Sequence, residues 1–262
     1  MTEELDLPAY LARIGYAGDV DPTIETLAAL HRAHVLSIPF ENLDILLGRP
    51  IRLDLQSLQS KLVYGRRGGY CFEQNTLFAA VLEHLGFEVT CLAARVRMGD
   101  DRSTPRTHMI LAVDVGATRL LADVGFGGDT LLDPIAFDNE EPVRQAAWTF
   151  RLGEEGDVWV LRGLRANGWL DLYAFTEEPH LPVDYEVSNH YTSTWPRSPF
   201  VRRIVVQRSG LEERWMLIED EFRIERPDGT QRHTVASPEE RLAILADRFG
   251  LVFPDDTRFG RD

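Results

Sequence analysis

Residues 67–75 read RGGYCFEQN. A glycine pair closes one segment and a cysteine opens the next. After Cys71 the apolar residues Leu77, Phe78, Val81, Leu82 and Leu85 recur at i, i+1, i+4, i+5 and i+8, one stripe of a helix. Gly86 stands where a C-terminal glycine belongs. The pattern predicts a helix from about Cys71 to Leu85, with the thiol in its first turn. A thiol attacks only as thiolate, a form that helix N-termini and cationic histidines favour. Gly68 and Gly69 allow a close backbone approach or a positive φ there. The unpaired amides of the first helical turn could also hold a developing oxyanion. The alternative is a cysteine that simply packs, and position alone does not separate the two.

Outward from this point the chain changes period twice. Before it the pattern is helical: Pro8 to Ile14, closed by Gly15 and Gly18; then a helix with Asp21-Pro22 at its start, carrying Ile24, Leu27, Leu30 and His31 on one stripe and stopped by Pro39; then Leu53 to Val63. After it come short runs rich in β-branched and aromatic residues: EVTCLAARVR, THMILAVDV, RLLADVGF, AWTFRL, DVWVLRGL and WLDLYAF. These read as an antiparallel sheet or barrel. YTSTWPRSPF reads as loop. RIVVQR, RWMLIED and EFRIER read as further strands, with a turn at Pro227-Asp228-Gly229, and a last helix starts at Ser237-Pro238. The prediction is an α+β chain: a helical bundle over 1–86, a β-barrel over 87–190 and an α/β lid over 191–262.

Bulk composition narrows the function. The chain has 262 residues and a formal net charge of −14, which argues against nucleic acid, since phosphate binding needs concentrated Lys and Arg. The two cysteines, Cys71 and Cys91, make no disulfide framework. No CxxC or HExxH pattern suggests zinc, and the HxxH of His31 and His34 lacks a third ligand nearby, so no metal is expected. MTEELDLPAY is not a signal peptide, and no apolar run reaches the roughly 18 residues of a membrane span. The reading is a cytoplasmic protein with reduced thiols and no membrane partner. Cys91 alternates with Val89 and Ala93 in a strand and reads as core.

A cysteine nucleophile needs a base, and the base an orienting group. Among seven histidines, His108 stands out because it opens the apolar strand THMILAVDV, where an ionisable ring needs a partner. Asp123 is the lone carboxylate of the next strand, RLLADVGF. If Gly116-Ala117 is a two-residue turn, Val115 faces Thr118, His108 faces Gly125, and Asp123 lies two residues along on the same face. A loop of the other parity would separate them. The alternatives are a satisfied core histidine and a turn carboxylate. Asp123 runs into GFGGDT, whose close-set amides resemble an anion cradle. It is neither a P-loop nor a dinucleotide fingerprint.

RGGYCFEQN, THMILAVDV and DVGFGG, in this order and spacing, resemble the arylamine N-acetyltransferases, as do PFENLDILLGRPIRLD (39–54) and NHYTSTWPRSPF (189–200). The resemblance spans about residues 10 to 250. It implies a helical bundle, a β-barrel and an α/β lid with a cysteine-protease-like core, and places the family's catalytic triad on Cys71, His108 and Asp123. It implies a ping-pong reaction: Cys71 takes acetyl from acetyl-CoA as a thioester and passes it to an arylamine, arylhydroxylamine or arylhydrazine. Coenzyme contacts would fall on Thr107, Gly125, Gly127, Gly128 and Thr130, and acceptor contacts on Phe126, Phe200 and Val96. Arg67 would hold structure near Cys71. Trp195 stands where relatives often carry a smaller or polar residue, and the short tail ending RFGRD implies fewer coenzyme contacts from the C-terminus. A homodimer is compatible with this reading. Three alternatives share the residues: an amide synthase acting on a long polyketide acyl thioester, a thiol hydrolase, and a binding module that uses the cleft without chemistry.

Overall fold

The computed structural model describes residues 4–99 and 104–260. Helix α1 is Leu7–Ile14, capped by Asp6, whose carboxylate accepts from the Ala9 amide. Helix α2 is Ile24–Ser37. It starts two residues later than Asp21-Pro22 suggests, because the Thr23 hydroxyl accepts from the Thr26 amide and makes Thr23 the cap. Ile24 is consequently exposed rather than on the buried stripe. Strand β1 (Phe40–Glu41) and the short α3 (Leu43–Leu46) follow. Helix α4 (Leu55–Leu58) widens into a π-helical turn, Gln59–Tyr64. Helix α5, Cys71–His84, carries the cysteine as its first residue.

Strands β2 (Glu88–Val96), β3 (Arg106–Val115), β4 (Thr118–Ala122), β5 (Ile135–Ala136), β6 (Val143–Gln145), β7 (Trp148–Glu155), β8 (Val158–Arg165) and β9 (Gly168–Pro179) form one antiparallel sheet in the order β5-β4-β3-β2-β9-β8-β7-β6. It curls into a near-closed barrel. The Gln145 side chain bridges the edges: its Oε1 accepts from the Leu132 and Asp133 amides at 2.8 and 3.1 Å, and its Nε2 donates to the Asp133 carbonyl at 2.7 Å. That side chain stands in for ladder bonds the two edge strands do not make.

The segment 191–200 is not the continuous loop its composition suggests. Tyr191–Thr194 ends helix α6 (Pro182–Thr194), and Phe200 lies in the turn α7 (Pro199–Arg202). Serines and threonines favour turns by local hydrogen bonding, but here Ser193 and Thr194 bond back to the carbonyls of Asn189 and His190 inside the helix. Strands β10 (Val205–Ser209), β11 (Arg214–Ile218), β12 (Glu221–Arg226) and β13 (Gly229–Thr234) make a second antiparallel sheet. Strand β1, from the helical third, joins its edge beside β10. Helix α8 (Pro238–Phe249) is capped by Ser237 and closed by Gly250 at φ 68°. One core joins the first helices to the barrel, and a smaller one lies under the second sheet, where Val206, Leu217 and Phe222 meet Leu245 and Phe249.

Candidate active site

The glycine pair is required for close approach rather than for unusual dihedrals. The Gly68 and Gly69 peptides run beside β1: the Glu41 amide donates to the Gly69 carbonyl at 3.1 Å, and the Gly69 amide to the Pro39 carbonyl at 3.3 Å. A Cβ on Gly68 would sit 2.1 Å from the Pro39 oxygen. The chain then turns into α5, where the Glu73 carboxylate accepts from the Tyr70 amide at 3.0 Å. Cys71 is thereby fixed as the first helical residue, 5% exposed. Its Sγ lies 3.6 Å from the Thr107 carbonyl.

A nearly buried charge cluster underlies this turn. Lys61, the only lysine in the sequence, donates to Glu73 at 2.7 Å and to Asp44 at 2.8 Å. Arg67 binds Glu41 at 2.6 Å and Asp44 at 3.2 Å. Burial would depress the Lys61 ammonium, but the three carboxylates around it raise it above its ordinary value. Burial pushes Glu73 up to about 7 against the pull of Lys61. The cluster ties α4, β1, α3 and α5 together, and Arg67 sits in it as a structural residue.

His108 and Asp123 come together as the two-residue turn requires. Val115 pairs with Thr118 and Leu111 with Ala122. His108 Nε2 lies 2.7 Å from Asp123 Oδ2, and the residues are 3% and 0% exposed. Burial disfavours the imidazolium, yet the Asp123 carboxylate and the neighbouring Cys71 raise His108 to about 10. Burial likewise disfavours the carboxylate, while His108, Asn75 and the Gly125 amide hold Asp123 below its ordinary range. With Nε2 committed to Asp123, Nδ1 is the ring nitrogen left for the thiol.

Two residues that sequence reasoning left unassigned complete the setting. Asn75 Nδ2 donates to Asp123 Oδ1 at 3.0 Å and to the Met109 carbonyl at 2.8 Å, while its Oδ1 accepts from Val124. His31 Nε2 accepts from the Asp123 amide at 3.1 Å, so its Nδ1 carries the proton to the Leu132 carbonyl. Burial keeps His31 neutral by lowering its pKa. His34 is pushed down to about 3, first by burial and then by His31, and is bonded to Tyr10 and Gln74. The HxxH pair therefore serves two separate hydrogen-bond sets. Asn75 was within reach of the sequence, being one helical turn past Cys71. No local signal pointed to His31, 92 residues from Asp123.

The remaining candidates fall in three places. The Phe126 ring lies 4.9 Å from that of His108, and Tyr173, which also packs on His108, pairs with Val96 across β2 and β9. Phe200 packs against Tyr70 and Phe40, and Asn42 holds its carbonyl at 2.7 Å. Gly125 sits against Cys71, whose Cα is 2.8 Å from where a Gly125 Cβ would be. Gly127 and Gly128 lie against β10. Thr130 is buried, its hydroxyl donating to the Asp123 carbonyl at 2.7 Å. Cys91 is half-buried rather than fully in the core, and burial pushes its thiol up to about 11. No helix among the described residues is long and apolar enough to cross a membrane.

Cys71 thus opens a helix beside a buried His–Asp pair, on a bundle joined to a near-closed barrel. The family model of the N-acetyltransferases matches residues 23–258. The arylamine N-acetyltransferase of Mycolicibacterium smegmatis is 42% identical over 258 residues, covering 96% of this chain and 94% of the relative. That of Escherichia coli is 38% identical, covering 96% and 90%. The crystal structure of the Nocardia farcinica arylamine N-acetyltransferase superposes with a TM-score of 0.90 at 43% identity, covering 96% and 91%. The Mycobacterium marinum arylamine N-acetyltransferase in complex with CoA does so at 0.90 and 37%, covering 94% and 92%. The chain belongs to the arylamine N-acetyltransferase family.

Proposed function

We propose that this protein transfers acetyl groups from acetyl-CoA to arylamines, arylhydroxylamines or arylhydrazines through a thioester on Cys71, with His108 as base and Asp123 as its orienting partner. The observation that carries the proposal is the 2.7 Å contact between His108 Nε2 and Asp123 Oδ2 beside the first residue of α5. The Asp123 carboxylate and the neighbouring Cys71 raise His108 to about 10 against its burial, which favours a proton held on the imidazole. The Cys71 sulfur adds to the acetyl carbonyl of acetyl-CoA. Collapse breaks the carbon–sulfur bond to the coenzyme, and the departing thiolate takes the proton from His108. The first product is CoA and the enzyme carries S-acetyl-Cys71.

The second half runs in reverse through the same residues. The acceptor nitrogen adds to the acetyl carbon, His108 takes a proton from that nitrogen, and the Cys71 sulfur leaves. The imidazolium and thiolate are restored and the N-acetyl product departs. The first step exchanges one thioester for another and is nearly balanced; the second makes an amide and is downhill. Asp123 fixes the tautomer with Nδ1 toward the sulfur and stabilises the imidazolium. Phe126, Phe200 and Val96 would line the acceptor pocket, and Thr107 and the loop Gly125 to Thr130 would lie beside the coenzyme. The relative from Salmonella typhimurium is named an arylamine N-acetyltransferase and N-hydroxyarylamine O-acetyltransferase, which supports hydroxylamines as acceptors. Steady-state assays crossing acetyl-CoA against an aminobenzoate test this: parallel double-reciprocal lines are expected, and intersecting lines would exclude a free acetyl-enzyme.

A further inference from the structure

Whether a glycine-rich loop can hold an anion depends on which way its peptides face: amides outward, carbonyls away. In the loop after Asp123, three amides are engaged. Gly125 donates to Asp123 Oδ1 at 2.9 Å, Gly128 to Gln207 Oε1 at 3.0 Å and Thr130 to the Gly127 carbonyl at 3.2 Å. Those of Phe126, Gly127 and Asp129 donate to nothing among the described residues. The carbonyls of Gly127 and Gly128 face strand β10, where Ser209 Oγ lies 3.2 and 3.1 Å from them and shares its proton between them. Ser209 is buried. Gly127 is at φ +88°, and a Cβ on it would be 2.1 Å from Gln207 Oε1, so a side chain there would be both strained and crowded by Gln207. Gln207 Nε2 lies 3.5 Å from Met216 Sδ on the next strand, which sets its amide with the oxygen toward the loop.

We propose that Ser209 and Gln207 are positioning residues for the acyl donor: from strand β10 they hold the Gly127 and Gly128 peptides so that the Asp129 amide, antiparallel to the Gly128 carbonyl in the same peptide, faces away from β10 to receive the donor's pyrophosphate. This rests on the acetyl-CoA reading above. Neither side chain touches the donor; each acts through a loop peptide. Arg214 Nη1 supports the same arrangement by holding the Asp129 carboxylate at 2.6 Å from strand β11. The second sheet thus sets donor affinity while leaving the sulfur chemistry to α5 and the barrel.

The test is single-turnover acylation of Cys71 with two donors: acetyl-CoA, and S-acetyl-N-acetylcysteamine, which has the thioester without the pyrophosphate. Ser209→Ala frees both carbonyls, and Gln207→Leu removes the acceptor for Gly128; the second carries the test if the first does not fold. Each variant is expected to raise the half-saturating acetyl-CoA concentration about tenfold, the order expected for misaligning hydrogen bonds to a charged group, with the maximal acylation rate kept within twofold. Second-order acylation by the truncated thioester changes by less than twofold. Equal losses with both donors, or no change with acetyl-CoA, overturn the proposal. A wild-type protein that acetyl-CoA fails to acylate would instead sink the donor reading itself.

Discussion

Replacing Asp123 with asparagine exchanges one oxygen for an amide nitrogen and, on the geometry here, disables the proposed base twice. The rise of His108 from 6.5 to about 10 corresponds, at 1.36 kcal/mol per unit, to on the order of 5 kcal/mol of preference for the imidazolium. Without the carboxylate, burial is opposed only by the neighbouring Cys71, and the ring shifts toward its neutral form. The tautomer is then wrong as well. Asn75 Nδ2 and the Gly125 amide both donate to Asp123 Oδ1, so the new amide keeps its oxygen there and turns its NH2 toward His108 Nε2. An N–H at that position needs an unprotonated Nε2, which puts the ring proton on Nδ1, facing the thiol. Nδ1 can then no longer accept a proton from sulfur. Single-turnover release of CoA should fall by about 10⁴-fold, the loss seen when a triad carboxylate is replaced by its amide. Alkylation of Cys71 by iodoacetamide at pH 7 should fall with it. A variant that folds, by its thermal transition, and keeps more than a tenth of the wild-type acylation rate would refute this reasoning.

The same pair makes stability depend on pH in a defined direction. His108 is raised on folding, so its contribution is full below 6.5 and is lost as pH climbs toward about 10; Asp123 is lowered, so its contribution is present above 3.8 and lost as pH falls below that. Urea titrations should therefore show the gap between wild type and Asp123→Asn widest between pH 4 and 6.5 and shrinking toward pH 10. Lys61→Met leaves Glu73 and Asp44 buried without their ammonium, at a cost of about 3–5 kcal/mol, read as a fall in thermal midpoint of about 10 °C. Gly68→Ala drives a methyl into the Pro39 carbonyl and should cost about 1–3 kcal/mol in denaturant titrations. Cys91→Ala, on strand β2 opposite Leu111 rather than His108 and with a thiol held up at about 11, should leave acetylation by mass unchanged.

What the sequence made legible is what local chemistry encodes. Helix α5 and its cysteine follow from apolar spacing and a closing glycine, and the His108–Asp123 pairing follows from a two-residue turn and strand parity. The start of α2 was misplaced because aspartate-proline and threonine are competing caps, and only the Thr23 hydroxyl reaches an amide. The tail of α6 was hidden because its serine and threonine hydroxyls bond inward to helical carbonyls. Strand β1 is two residues long and has no periodicity to read; its pairing with β10, about 165 residues away, is set by tertiary packing. His31 behind Asp123 and the Ser209–Gln207 contact with the glycine loop are likewise long-range pairs of ordinary polar residues, which no spacing rule singles out.

The most direct test of the central claim is the intact mass of the protein after mixing with acetyl-CoA alone, followed by peptide mapping and then addition of an arylamine. The account predicts a single acetyl group on Cys71, stable until an aminobenzoate discharges it as the N-acetyl product. An acetyl group on any other residue, no adduct at all, or an adduct that decays to acetate at the same rate with and without amine, would contradict it.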